Sequence, residues 1–171
     1  MVGVALTHPH EPDIEVHAGV GWLTVSDTRT RTDDRSGDFA VERIRAAGHR
    51  VVERAIVPDD PARVRERVSL WLERTDVQLV LVCGGTGVSS RDQTYEALSD
   101  LFDRRLEGFG ELFRMLSYEQ VASRSMLSRA TAGIAAGKPV FVMPGSTKAV
   151  ELALTRLILP EIPHLLTELA R

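Results

Sequence analysis

Short apolar runs alternate along this chain with stretches whose apolar residues recur at helical spacing. Residues 20–25 form a compact apolar run ending at Ser26-Asp27-Thr28, which predicts a strand feeding a polar loop. Ser36 is placed to cap a helix with Ala40, Ile44 and Ala47 on one face, and Gly48 suits its left-handed exit. Residues 51–57 are rich in β-branched side chains and predict a second strand. Pro61 sits where a first helical turn tolerates it, and Val64, Val68, Trp71 and Leu72 follow at i, i+4, i+7 and i+8. Residues 79–83 are continuously apolar, as a parallel strand covered on both faces requires. Gly84-Gly85-Thr86-Gly87 follows at once, and a helix is expected from near Thr94. Two glycines within 107–110 break the pattern before helical stretches at 112–116 and 125–129. Residues 140–143 predict another strand, halted by Pro144-Gly145-Ser146. The last long helix carries Val150, Leu154, Leu157 and Ile158, after which Pro160 and Pro163 interrupt a short C-terminal helix.

This alternation predicts one α/β domain over residues 19–171, a three-layer sandwich with a central, mainly parallel sheet. Residues 1–18 hold two prolines and three histidines without periodicity and are expected to be a flexible extension. His8 and His10 there form a weak metal pair at best. No basic region followed by an apolar run marks a secretory signal, and no stretch nears the roughly 20 apolar residues of a membrane helix. A reducing cytoplasm is the expected setting.

Charge and cysteine content narrow the chemistry. The chain has 171 residues, 21 of them Lys or Arg and 24 Asp or Glu, for a net charge of −3. That balance argues against a nucleic-acid binder. The single cysteine, Cys83, permits no internal disulfide and no Cys-cluster metal site. Cys83 ends an apolar strand and reads as a core residue rather than a nucleophile. His49 and His164 stand near no credible nucleophile loop.

In an open parallel sheet, ligands collect beyond the carboxyl ends of the strands, where the polar and glycine-rich segments all fall. Gly84-Gly85-Thr86-Gly87 brings backbone N–H groups close to a ligand as an anion cradle, or serves only a tight strand exit. Its spacing is neither the dinucleotide fingerprint nor the P-loop. Ser146 reads as an N-cap or as a phosphate contact, and Lys148 as an added charge or a solvated one. Arg91-Asp92 reads as an ion pair or as part of a site. Asp59 and Asp92 follow different strands yet are expected to face one crevice, where two such carboxylates could hold Mg²⁺ shared with substrate phosphates; Asp27 competes for that role or merely orders its turn. Glu111 and Arg114 are spaced to pair on one helix face. Anion-binding backbone, basic residues and hard-metal carboxylates together fit phosphoryl or nucleotidyl transfer.

An ordered set of motifs resembles the MoaB/MogA family. It comprises Thr24-Val25-Ser26-Asp27-Thr28-Arg29, Ser36-Gly37-Asp38, Gly84-Gly85-Thr86-Gly87 with Arg91-Asp92 and Thr94, and Glu107-Gly108-Phe109-Gly110-Glu111 with Phe113-Arg114. Ser128-Arg129-Ala130 and Pro144-Gly145-Ser146-Thr147-Lys148-Ala149 complete it, and the likeness spans about residues 19–168. The resemblance implies the molybdopterin-binding fold, a role in molybdenum cofactor biosynthesis, and a homo-oligomer, trimeric or hexameric. It implies adenylylation of molybdopterin with Mg²⁺ and ATP, with Asp59 and Asp92 as catalytic, metal-linked carboxylates. Ser26, Gly145 and Ser146 would then build the pterin phosphate pocket, and the glycine loop and Ser117 would line the crevice. Arg91 would orient Asp92 or contact the nucleotide. The alternative is a non-catalytic molybdopterin-binding or carrier protein of the same family. The adenylyltransferase branch typically has proline directly after the glycine loop, where this chain has Val88-Ser89-Ser90; its Ser-Asp-Thr-Arg-Thr opening and Pro-Gly-Ser-Thr-Lys segment are closer to the MoaB branch.

Overall fold

The computed structural model describes residues 16–171. Six strands form one sheet in the order β2-β1-β3-β6-β5-β4. Here β1 is Gly19–Val25, β2 Arg50–Val57, β3 Leu79–Cys83, β4 Arg104–Arg105, β5 Thr131–Ala135 and β6 Lys138–Met143. The pairs β1–β2, β1–β3 and β3–β6 are parallel, whereas β5 runs antiparallel to both β6 and β4. Helices cover both faces: α1 (Arg35–Ala46), α4 (Glu107–Val121), α5 (Thr147–Ala153) and α6 (Ile162–Leu169) contribute to one layer, α2 (Pro61–Leu72) and α3 (Thr94–Ser99) to the other.

The apolar strand β3 shows why no polar residue is tolerated there. Successive strand side chains point to opposite faces. Leu79, Leu81 and Cys83 join the core under α1, α4 and α5, while Val80 and Val82 join Val64, Val68 and Trp71 of α2. Both faces are dry, as the expected three-layer sandwich requires.

Several local expectations change. Asp34, not Ser36, caps α1, its side chain accepting the Gly37 N–H at 3.0 Å. The Ser36 hydroxyl donates to the same carboxylate at 3.1 Å. Gly48 does leave α1 at φ +83°. The glycines at 108 and 110 do not break α4, which runs through both; a Cβ at Gly110 would lie 2.6 Å from the Ala130 carbonyl, so the residue lets α4 approach β5. The stretch expected as a helix at 125–129 is a 3₁₀ turn, Ala122–Leu127, followed by extended chain. Strands β4 and β5 were not expected; β5 returns into β6 through Ala136 and Gly137, both at positive φ, the geometry of a two-residue hairpin turn. After α5 the chain passes through a π turn, Leu154–Ile158, and a short 3₁₀ turn before α6.

Of the expected extension, residues 1–15, with His8 and His10, lie outside the described residues. Ala18 is buried and its N–H reaches His49 Nδ1 at 3.3 Å. No helix among the described residues is long and apolar enough to cross a membrane.

Candidate functional site

The carboxyl ends of β1, β3 and β6 meet so closely that only glycine fits between them. Gly84 has φ +109°, and a Cβ on it would stand 2.1 Å from the Val25 carbonyl oxygen. Its N–H donates to the Met143 carbonyl at 3.0 Å, and a Cβ on Gly145 would come within 3.3 Å of Gly84 Cα. Gly85 has φ +62°, and a Cβ there would lie 2.1 Å from Thr94 Oγ1 and 2.6 Å from Asp59 Oδ1. Thr94 is buried, its hydroxyl unpartnered, and its N–H holds the Gly85 carbonyl at 3.0 Å. The strand exit therefore requires the first two glycines on steric grounds alone.

Arg129 fixes the remainder of the loop. Its N–H donates to the Thr86 carbonyl at 3.0 Å and its Nε to the Gly87 carbonyl at 2.8 Å. One terminal nitrogen donates to the Asp92 carbonyl, the other pairs with Glu96, and the guanidinium lies 5.6 Å from the Tyr95 ring centre. Four groups in and beside the loop are thus tied to one arginine, three of them by its planar fork. The Ser128-Arg129-Ala130 motif carried this signal, although the spacing alone does not disclose what the arginine holds.

Beside the loop lies a crevice of about 340 Å³. Gly85, Thr86, Gly87 and Asp92 form one side, Gly145 and Ser146 another, and Ser117 of α4 a third. Seven sequence candidates are thus brought together, with Gly84 directly behind them. Phe113 and Leu152 give the crevice a buried apolar wall, and Arg124 and Lys148 stand at its edge. Arg124 and Gln120 were missed, since neither belongs to a motif and only the packing of α4 beside α5 brings them in. Ser146 also caps α5, accepting the Ala149 N–H at 3.3 Å.

Ser26 and Asp27 are placed elsewhere, on a separate groove with Arg29 and Pro58. The Ser26 hydroxyl accepts the N–H groups of Thr28 and Arg29 at 3.3 and 3.2 Å, ordering its own turn. Asp27 bridges outward: Oδ1 accepts the Asp59 N–H at 3.1 Å, and Oδ2 accepts from Arg91 at 2.5 Å. Arg91 therefore pairs with Asp27 and not with its neighbour Asp92, whose Oδ2 accepts the Ser89 N–H at 3.0 Å. Burial, then the charges of Asp27 and Asp92, raise the Asp59 pKa above the ordinary carboxylate value, and Arg91 offsets only part of this. Arg114 does not pair with Glu111 but donates to the Ala130 carbonyl at 3.2 Å. Cys83 is fully buried and its thiol is pushed up to about 12 by desolvation, as a core residue's is.

The model of a probable molybdopterin binding domain matches residues 21–164. Molybdenum cofactor biosynthesis protein B of Bacillus cereus is 49% identical over 150 residues, 87% of this chain and 89% of the relative. The protein of the same name from Escherichia coli K12 is 48% identical over 140 residues, 82% of each chain. A crystal structure of molybdenum cofactor biosynthesis protein B superposes with a TM-score of 0.89 at 46% identity, covering 91% of this chain and 98% of that one. The Mog protein of Mycobacterium ulcerans shares the fold at a TM-score of 0.81 but only 25% identity, over 89% of this chain and 99% of that one.

These matches overturn the expected adenylyltransferase. Molybdopterin adenylylation with Mg²⁺ and ATP is the expectation drawn from the adenylyltransferase branch, and the relatives bear the name of the MoaB branch instead. Among the described residues no three His, Cys, Asp or Glu side chains converge as a metal-holding group. Asp92 is engaged by the Ser89 N–H and Asp27 by Arg91. The chain belongs to the MoaB/MogA family of molybdopterin-binding-domain proteins and lies closer to its MoaB branch.

Proposed function

We propose that this chain acts in molybdenum cofactor biosynthesis by binding molybdopterin, as a non-catalytic binding or carrier protein. The observation that carries this reading is the two-sided character of the crevice. Its volume of about 340 Å³ falls within the range of roughly 300–1,000 Å³ usual for small-molecule sites. Phe113 and Leu152 offer an apolar wall to the ligand's carbon skeleton, while Gly85–Gly87, Gly145 and Ser146 place small residues and backbone at the other side. Arg124 and Lys148 at the edge favour an anion such as the terminal phosphate. A net charge of −3 does not oppose this, because a local pocket answers to its nearest groups.

The test is a fluorescence titration of the purified protein with molybdopterin. Saturable binding at micromolar concentration is expected, and Gly145→Val, which fills the crevice beside Gly84, should weaken it at least tenfold. Absence of saturable binding by the wild type contradicts the reading.

Self-association belongs to the same proposal. Leu112, Met115, Tyr118 and Val121 of α4 and Met126 of the following turn are all exposed, Met126 by 76%. An apolar strip of this kind marks a protein contact, and a second copy of the chain is the partner proposed, within a trimer or hexamer. Sedimentation equilibrium should give a trimer or larger, reduced towards monomer by Met115→Asp. A wild-type monomer at micromolar concentration would rule this out.

A further inference from the structure

The crevice does not end at Lys148. Beyond it a wider groove of about 600 Å³ runs between the end of α4 and the outer face of α5, sharing Gln120, Val121, Lys148 and Leu152 with the crevice. Glu151, Thr155 and Arg156 complete it. Positions 148, 151, 152 and 155 recur at i, i+3, i+4 and i+7, so one helical stripe lines both spaces. Thr155 donates its hydroxyl to the Glu151 carbonyl at 2.7 Å, and both side chains are exposed to the groove.

We infer that this groove seats the pterin head of the ligand and that the Glu151 carboxylate reads its 2-amino-4-oxo pyrimidine edge. The inference rests on the molybdopterin reading and adds an orientation and a specificity residue to it. The chemistry of that edge is distinctive: a ring N–H and an exocyclic amino group lie side by side as two parallel donors. A carboxylate has two acceptor oxygens at matching separation and meets such a pair as it meets a guanidinium fork. Glu151 is the sole acid lining the groove among the described residues. The acid of the crevice, Asp92, already accepts a backbone N–H.

The small residues fix the direction. Crevice and groove each hold two cations and one acid, but only the crevice offers a phosphate the close backbone approach of Gly85–Gly87, Gly145 and Ser146, with Arg124 and Lys148 beside it. The head then lies outward, its faces against Val121 and Leu152. The Gln120 amide and the Arg156 guanidinium supply donors for the ring's oxo and nitrogen acceptors. The π turn, Leu154–Ile158, begins within this stripe and carries Thr155, and π turns are frequent at functional sites.

The experiment is competition against bound molybdopterin, using pterin, lumazine (the same bicycle with oxo in place of the 2-amino group) and inorganic phosphate, with wild type and Glu151→Gln. Wild type should prefer pterin to lumazine by about tenfold, the scale of a charged hydrogen bond. Glu151→Gln should lose that preference and weaken molybdopterin about tenfold, with competition by phosphate unchanged. Its melting temperature should match wild type, since Glu151 is exposed. If Glu151→Gln keeps the pterin preference, or wild type has none, the inference fails while molybdopterin binding stands. If wild type binds no molybdopterin, both readings fail.

Discussion

Around Asp34 the chain buries a carboxylate completely and gives it a partner on every side; around Asp59 it leaves a carboxylate within reach of the charges of two others, Asp27 and Asp92. Asp34 accepts from Thr24 Oγ1 at 2.7 Å, the Gly37 N–H at 3.0 Å and Arg54 at 2.9 Å, with Ser36 and Arg29 beside them. Trp22 Nε1 donates to Thr24 at 3.0 Å, which carries the network into the core. Burial alone would push the Asp34 pKa up, but the hydrogen bonds from Thr24, Arg54, Gly37 and Ser36 outweigh it and hold the group below its ordinary value. At Asp59, burial and the charges of Asp27 and Asp92 act together and the pKa rises. The same residue type thus joins β1, α1 and β2 in one place and keeps a charged rim in the other. What separates the two is the number of donors each carboxylate meets, and only folding sets that number.

The largest expected effect comes from breaking the satisfied cluster. Asp34→Ala leaves Arg54, only 6% exposed at its side chain, without its buried partner. It should cost about 3–5 kcal/mol in a urea denaturation series. The pH dependence has a definite sign. Because the folded-state pKa of Asp34 lies below the unfolded value, its contribution is complete above the ordinary carboxylate pKa of 3.8 and disappears as pH falls through the lower folded value. The variant should lose that acid-side dependence. A loss below 1 kcal/mol would show that the cluster is incidental.

Next in size is Arg129→Gln, which removes the fork that holds the Gly87 and Asp92 carbonyls. Global stability should fall by about 1–2 kcal/mol, and amide hydrogen exchange at residues 86–93 should quicken well beyond that of the rest of the sheet. Uniform change across the molecule would contradict a role confined to the loop.

The smallest effect has the opposite sign. Asp59 binds its proton more readily when folded, so its charge costs stability as pH rises through the raised pKa. Asp59→Asn should therefore stabilise the protein at pH 7, by only about 0.5 kcal/mol because the rim is open to solvent screening. It should make no difference well below pH 4. Destabilisation at pH 7 would show that Asp59 is held by favourable contacts after all.

The fold was legible wherever burial demands one kind of residue. The dry strand β3, the glycines after it and the apolar stripe of α2 each follow from a single local requirement. The strand β5 was not, because Thr131-Ala132-Gly133-Ile134-Ala135 is small and weakly patterned; Phe102 packs where a Cβ on Gly133 would lie, so the space is filled from elsewhere in the chain. Helix α4 read as broken for a related reason: Gly110 answers to the Ala130 carbonyl, a neighbour distant in sequence. The site divided in the same way. The glycine loop, Ser117, Gly145 and Ser146 were visible as motifs and do gather at the crevice. Ser26, Asp27 and Arg91 belong to motifs as well, yet they are occupied with their own turn and with Asp59. Arg124 and Glu151 reach the crevice and its groove only because α4 packs beside α5, and no spacing along the chain announces that.

Molybdopterin is proposed to sit between the glycine loop and α5. Amide hydrogen exchange with and without saturating molybdopterin tests it most directly. Exchange should slow at residues 85–92 and 145–152, with residues 27–35 around the Asp34 cluster unchanged. Protection confined to 27–35, or none at either crevice segment, would contradict it.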